Sequence, residues 1–219
     1  MIKDDLHDWT VRELLAPIEI TDGLFTVLEG VEPPADPEAV VVHLVRSKSF
    51  GTGAHPATRA VVFQMMIELG IMMPASRSPK RLLDLDAGSG LLGILAKLFY
   101  PALDSVSVAS ADDFPALLDN HVGNGEPLDL LLSAPAFEGE ELRRRFRGRC
   151  DLVVSQAGAS ARLDLMAEAL APTGVLIIGG HAAREHYELR RDLSEWAEIE
   201  SVADVDGWPV FAARKIIEA

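Results

Sequence analysis

The sequence predicts an α/β fold built on a mostly parallel, doubly wound sheet of seven strands that closes in an antiparallel hairpin. Three observations predict it. From residue 80 onward, short apolar runs alternate with amphipathic ones. A Gly-rich turn stands where the first of those runs meets the first amphipathic segment. The last two apolar runs are joined by a tight turn at Asp206-Gly207, which pairs them antiparallel.

The elements follow in chain order. Residues 17–29 read as two short strands around a turn at Asp22-Gly23. Residues 30–38 are a Pro-rich linker, and the β-branched run at 39–45 is a buried strand. A loop of small residues leads to Pro56, which suits the first turn of a helix that continues to Leu69 and stops at Gly70. Strands are then expected at 81–86, 105–110, 128–134, 150–156 and 174–180, with helices between them and a further helix over 184–196. The closing strands cover 199–205 and 208–216. Parallel strands need crossovers, usually helical, so this alternation implies a sheet covered on both faces. Residues 1–38 are read as an N-terminal connector with small strands and residues 39–219 as the main domain.

Composition bounds the function. The 219 residues include 20 Lys and Arg against 34 Asp and Glu, a formal net charge of −14. Nucleic-acid binders present cationic surface to phosphate, so no nucleic-acid partner is expected. The basic cluster Arg143, Arg144, Arg145, Arg147 and Arg149 follows Glu138, Glu140 and Glu141, and reads as a solvated helix with opposite charges at helical spacing. The single cysteine, Cys150, excludes an internal disulfide framework and points to a reducing compartment. The acidic, polar start lacks the marks of a signal peptide, and no apolar run reaches membrane-spanning length. The cytoplasm is the expected location, with no membrane partner. No His, Cys and carboxylate spacing suggests a metal site. Met65, Met66, Met72 and Met73 are expected to pack helix against sheet.

The turn Asp84-Leu85-Asp86-Ala87-Gly88-Ser89-Gly90 opens the first helix of the large sheet, where a doubly wound fold binds its nucleotide. Glycine lets a ligand approach the backbone without a Cβ in the way. Gly88 to Gly93 also spells GxGxxG, with Asp112 and Asp113 about 20 residues further on, as in a dinucleotide fingerprint. The terminal hairpin argues against a dehydrogenase, since it leaves no second domain for a hydride acceptor.

The loop Phe50-Gly51-Thr52-Gly53-Ala54-His55-Pro56-Ala57-Thr58-Arg59 resembles the FGTGxHPTT signature of the PrmA family, bacterial methyltransferases that modify a large-subunit ribosomal protein. The resemblance continues upstream through Trp9, residues 17–20 and 22–27. It continues downstream through Asn120, Asn124-Gly125, residues 151–154 and 172–174. It covers the family's catalytic domain only; residues 1–38 match the connector that follows a separate substrate-presenting domain. It implies a class I methyltransferase (Rossmann-like) fold, S-adenosylmethionine as cofactor, and a protein or small-molecule substrate.

The resemblance also implies site residues. Thr58 matches the signature threonine, Asp84 the acidic residue before the turn, and Gly88 and Gly90 the later glycines. Three positions depart from the pattern. Asp86 stands where the first glycine belongs. The second strand ends Val108-Ala109-Ser110 without the carboxylate that holds the ribose, so Asp112 or Asp113 would substitute. Gln156 replaces an asparagine. His55 is read as ordering the turn before its helix, and His181 and His186 as structural or exposed. Two functions stay open: an S-adenosylmethionine-dependent methyltransferase, or a catalytically silent relative serving as a binding or assembly module. Binding of S-adenosylmethionine is expected to be weak or absent, because the Asp86 carboxylate occupies the turn and the acid near Ala109 is missing. The Asp86 charge itself would oppose the cofactor's carboxylate but help its ammonium or sulfonium.

Overall fold

The computed structural model describes residues 15–72, 79–110, 113–125, 130–133, 140–156, 162–180 and 185–216. Three strands form a small sheet: β1 (Ile18–Thr21), β2 (Leu24–Leu28) and β3 (Val40–Leu44). The Asp22-Gly23 turn makes β1 and β2 antiparallel, and the Pro-rich linker carries the chain over so that β3 pairs with β2 in parallel. The helix α1 (Pro56–Glu68) follows the small-residue loop.

The large sheet contains β4 (Arg81–Leu85), β5 (Asp104–Ala109), β6 (Leu130–Ser133), β7 (Cys150–Ser155), β8 (Leu170–Ile178), β9 (Ala197–Val205) and β10 (Trp208–Lys215). Between them run α2 (Leu91–Phe99), α3 (Phe114–Gly123), α4 (Glu140–Phe146), α5 (Leu163–Ala169) and α6 (His186–Ser194). The strand order is β6-β5-β4-β7-β8-β10-β9, parallel from β6 to β8, with β10 antiparallel to both its neighbours. The expected sheet and its closing hairpin are therefore present.

One strand starts earlier than its sequence suggests. The strand expected at 174–180, after a helix ending at Leu170, instead begins at Leu170, opposite Cys150. The register then shifts between Cys150 and Leu152, and this irregularity absorbs the extra residues.

Strand alternation assigns the two cores. Leu82, Leu152, Val154, Ile177, Val210 and Ala212 face α1, α2 and the small sheet. Leu83, Leu85, Val153, Leu176, Ile178 and Phe211 face the layer of α4, α5 and α6. Both faces of the central strands are apolar, as a sheet covered by helices on each side requires. Met65 and Met66 pack in the first core, whereas Met72 is 44% exposed, a correction to the expectation for that residue. Met72 lies just past the helix stop at Gly70 and so leaves the buried face; Met73 falls outside the described residues.

In α4 the arginines behave as a solvated charged face. Arg144 and Arg145 pair with Glu141 at helical spacing, and Arg143 reaches Asp164 and Glu168 of α5. Among the described residues, no helix is long and apolar enough to cross a membrane.

Candidate functional site

The chain runs outward from β4 through β5 to β6, then returns to place β7 on the other side of β4. The carboxyl ends of β4 and β7 thus flank the point where strand order reverses, the crevice in which open α/β sheets bind ligands. Asp84 pairs in register with Val154, and Leu85 with Ser155. The Gly-rich turn and Gln156 therefore leave adjacent strands side by side.

The small-residue loop lies directly on this turn. The Ser89 N–H donates to the Phe50 carbonyl at 2.9 Å, and the Ser89 hydroxyl donates to the Gly51 carbonyl at 2.8 Å. Gly88 sits at φ 52°, and a Cβ there would run into the Phe50 carbonyl oxygen. Left-handed backbone and close approach together require glycine. Gln156 packs from the other side, so that a Cβ on Gly51 would lie 2.5 Å from the Gln156 Nε2. Gly90, also left-handed, is the N-cap of α2.

Two asparagines tie α3 to the small sheet, and one of them also holds the turn. Asn120 on α3 donates to the Ser89 carbonyl at 2.8 Å and accepts from the Val45 N–H at 2.6 Å. Asn124 accepts from the His43 N–H at 2.8 Å and donates to the His43 carbonyl at 2.6 Å.

The loop leads into α1 through His55. Its Nδ1 accepts from the Ala57 N–H at 3.1 Å, and its ring packs edge-on against Trp208. Burial, and then the Arg59 charge, hold the imidazole below its ordinary pKa, which keeps Nδ1 an acceptor. His55 thus orders the turn, as expected. His186 sits edge-on to Phe211, a packing contact.

Several polar side chains on the elements that meet at this end of the sheet are buried without partners among the described residues. The Thr58 hydroxyl, both Asp84 carboxylate oxygens, the Ser155 hydroxyl and both ends of the Gln156 amide make no hydrogen bond among the described residues. Thr58, Asp84, Ser155 and Gln156 have no exposed surface. Native proteins rarely leave such groups unmet, and clusters of them call for an explanation such as a ligand. Burial, with the nearby Asp86 charge, pushes the Asp84 carboxyl well above the ordinary carboxylate range.

Asp86 does not stand alone. At φ 64° it takes the left-handed conformation of the turn, and its carboxylate pairs with the Arg162 guanidinium at 3.1 Å. Burial raises its pKa and Arg162 opposes the rise. Nothing in the sequence pattern signalled Arg162, which follows β7 by seven residues and meets Asp86 only through the fold. Of the ribose candidates, Asp112 lies outside the described residues. Asp113 accepts from the Ser110 hydroxyl at 2.7 Å at the start of α3. His181 also lies outside the described residues.

A family model described as "Ribosomal protein L11 methyltransferase (PrmA)" matches residues 3–216. A ribosomal protein L11 methyltransferase of Nitrosomonas europaea is 29% identical over 95% of this chain and 67% of its own length. Another from Thermotoga maritima is 28% identical over 86% of this chain and 66% of its own. The chain spans about two thirds of the length of these curated relatives. A solved ribosomal protein L11 methylase from Lactobacillus delbrueckii subsp. bulgaricus superposes with a TM-score of 0.74 at 21% identity, covering 92% of this chain and 100% of that one. A precorrin-6y C5,15-methyltransferase from Geobacter metallireducens gives a TM-score of 0.55 at 16% identity, over 73% of this chain and 88% of that one. These likenesses show the class I methyltransferase fold.

Proposed function

The chain belongs to the ribosomal protein L11 methyltransferase (PrmA) family, and on that premise we propose that it is a cytoplasmic, S-adenosylmethionine-dependent methyltransferase acting on a protein. The observation that carries the reading is that Asp84, at the carboxyl end of β4 beside the switch point, is fully buried with no hydrogen-bond partner for either oxygen among the described residues.

The residues present fit the cofactor. Asp84 offers a carboxylate to a cationic group, Thr58 a hydroxyl and Gln156 an amide with both donor and acceptor. Gly88 and Gly90 let the turn pack closely against the Phe50 carbonyl and against Leu117 and His121. Asp86 and Asp112 complete the proposed set, the latter for the ribose hydroxyls. When bound, S-adenosylmethionine supplies an electrophilic methyl group on a sulfonium sulfur.

The chain's own part is to bind and orient. The Phe50–Gly51 carbonyls clamp Ser89 and so fix the turn before any ligand arrives. Preorganisation of this kind lowers the entropic cost of bringing two reactants into line. The two apolar cores behind the strands hold the site rigid. Holding the amine nucleophile against this turn, with its proton lost to solvent or a carbonyl, is the remaining requirement.

The second reading, a silent binding module, is favoured by one observation: the Asp86–Arg162 pair fills a turn where the family carries glycine. Calorimetric titration with S-adenosylmethionine separates the two, followed by transfer of a labelled methyl group to purified ribosomal protein L11. Saturable binding and labelling are expected. Absence of heat and of label together would remove the methyltransferase reading.

A further inference from the structure

Arg162 reaches the Gly-rich turn from the segment between β7 and α5, and it is tied there by the one residue that breaks the family's glycine pattern. A non-glycine residue at φ 64° is strained, and such strain persists only where the surroundings over-determine it. What Asp86 gains in return is the ion pair. The two side chains are 34% and 20% exposed, so the pair is shielded from much of the solvent.

The guanidinium is only half used. Its Nη1 donates to Asp86, while its Nη2 is shut off from water with no acceptor among the described residues. Guanidinium groups match carboxylates through two parallel N–H donors, so this one is short of an anion. Asp84, close enough for the Asp86 charge to shift its titration, is a buried carboxylate short of a cation. Among the described residues the turn thus brings together two carboxylates, Asp84 and Asp86, and one guanidinium.

We propose that Arg162, positioned by Asp86, recognises the carboxylate of an α-amino acid end at the Gly-rich turn while Asp84 receives its ammonium, so that the site selects a zwitterion. This rests on the reading of the turn as a S-adenosylmethionine site and assigns the aminoacyl half of that ligand to residues of this chain. It also resolves the sign at Asp86. The Asp86 carboxylate is spent on Arg162 and presents a cation, not an anion, to the ligand's carboxylate.

The test is calorimetric titration with two probes that share the adenosine and thioether and differ in the amino acid end. S-adenosylhomocysteine has that end and 5′-methylthioadenosine lacks it. Arg162→Gln, which keeps much of the side-chain stem, is expected to weaken S-adenosylhomocysteine about 10- to 100-fold, the loss of a charge-assisted hydrogen bond, with 5′-methylthioadenosine unchanged. Asp86→Asn is expected to give the same selective loss, and the double variant little beyond the larger single effect, since the two act as a unit. Equal weakening of both probes would make Arg162 a structural strut and overturn the proposal. So would higher S-adenosylhomocysteine affinity in Asp86→Asn, which would mean that Asp86 repels the ligand. A wild-type protein that binds 5′-methylthioadenosine as tightly as S-adenosylhomocysteine overturns zwitterion selection but leaves the methyltransferase reading standing. One that binds neither probe overturns both.

Discussion

A carboxylate with no exposed surface and no hydrogen bond to either oxygen is costly to fold, and among the described residues Asp84 is one. Burial raises its pKa in the folded protein. The folded state therefore binds the proton more tightly than the unfolded chain does. The stability belonging to the protonated form is fully present below the unfolded pKa and is lost as pH rises through the folded one. Asp84→Asn removes the charge at constant shape. It is expected to raise the melting temperature at pH 7 by a few degrees, at about 2–4 °C per kcal/mol for a domain of this size. The gain should vanish below about pH 4, where the model carboxyl is protonated even in the unfolded chain. The same variant should weaken S-adenosylmethionine binding. Thermal melts across pH, with a titration at pH 7, check both; a wild type more stable than Asp84→Asn at neutral pH would show that Asp84 is paired. The sequence exposed Asp84, Thr58 and Gly88 because each belongs to a contiguous motif. It hid Arg162, whose role depends on a contact with a residue 76 positions earlier in the chain.

At the scale of elements, the site is held by α3. Asn120 is buried and bridges the end of β3 to the Gly-rich turn, whereas the bonds of Asn124 to His43 lie at an exposed edge. Substitution of a buried bridge leaves a backbone donor and acceptor unmet, at about 1–3 kcal/mol each. Asn120→Ala is accordingly expected to cost about 2–4 kcal/mol. Asn124→Ala should cost about 1 kcal/mol, because water can replace its bonds. Urea denaturation of the two variants checks the ranking, and equal losses would contradict the bridging role. Both asparagines stood out in the sequence through the family resemblance. What each one holds did not, because their partners, Val45, His43 and Ser89, are backbone groups far away in the chain. The early start of β8 escaped for a related reason: the apolar run begins only at Gly174, and only the pairing of Leu170 with Cys150 extends the strand back.

For the molecule as a whole, the net charge of −14 weighs against binding to a phosphate backbone. The most basic segment, α4, spends Arg143, Arg144 and Arg145 on Glu141, Asp164 and Glu168. Few cations remain there to displace counterions from a phosphate backbone. No binding to ribosomal RNA is expected at physiological salt, as judged by fluorescence anisotropy. Tight binding with a steep salt dependence would contradict this.

The sequence by itself determined the fold. Strand and helix periods, the Gly-rich turn and the closing Asp206-Gly207 hairpin are local features, and local propensity with short connections leaves few topologies open. Through the family resemblance it also nominated Thr58, Asp84, Gly88 and Gly90 for one proposed site. Only the tertiary structure decided how that site is charged. Whether a carboxylate is paired depends on which side chains arrive from other elements, and on how much water they exclude. Among the described residues Asp84 has no partner, and Asp86 meets Arg162 because β7, whose following segment carries that arginine, lies parallel and adjacent to β4.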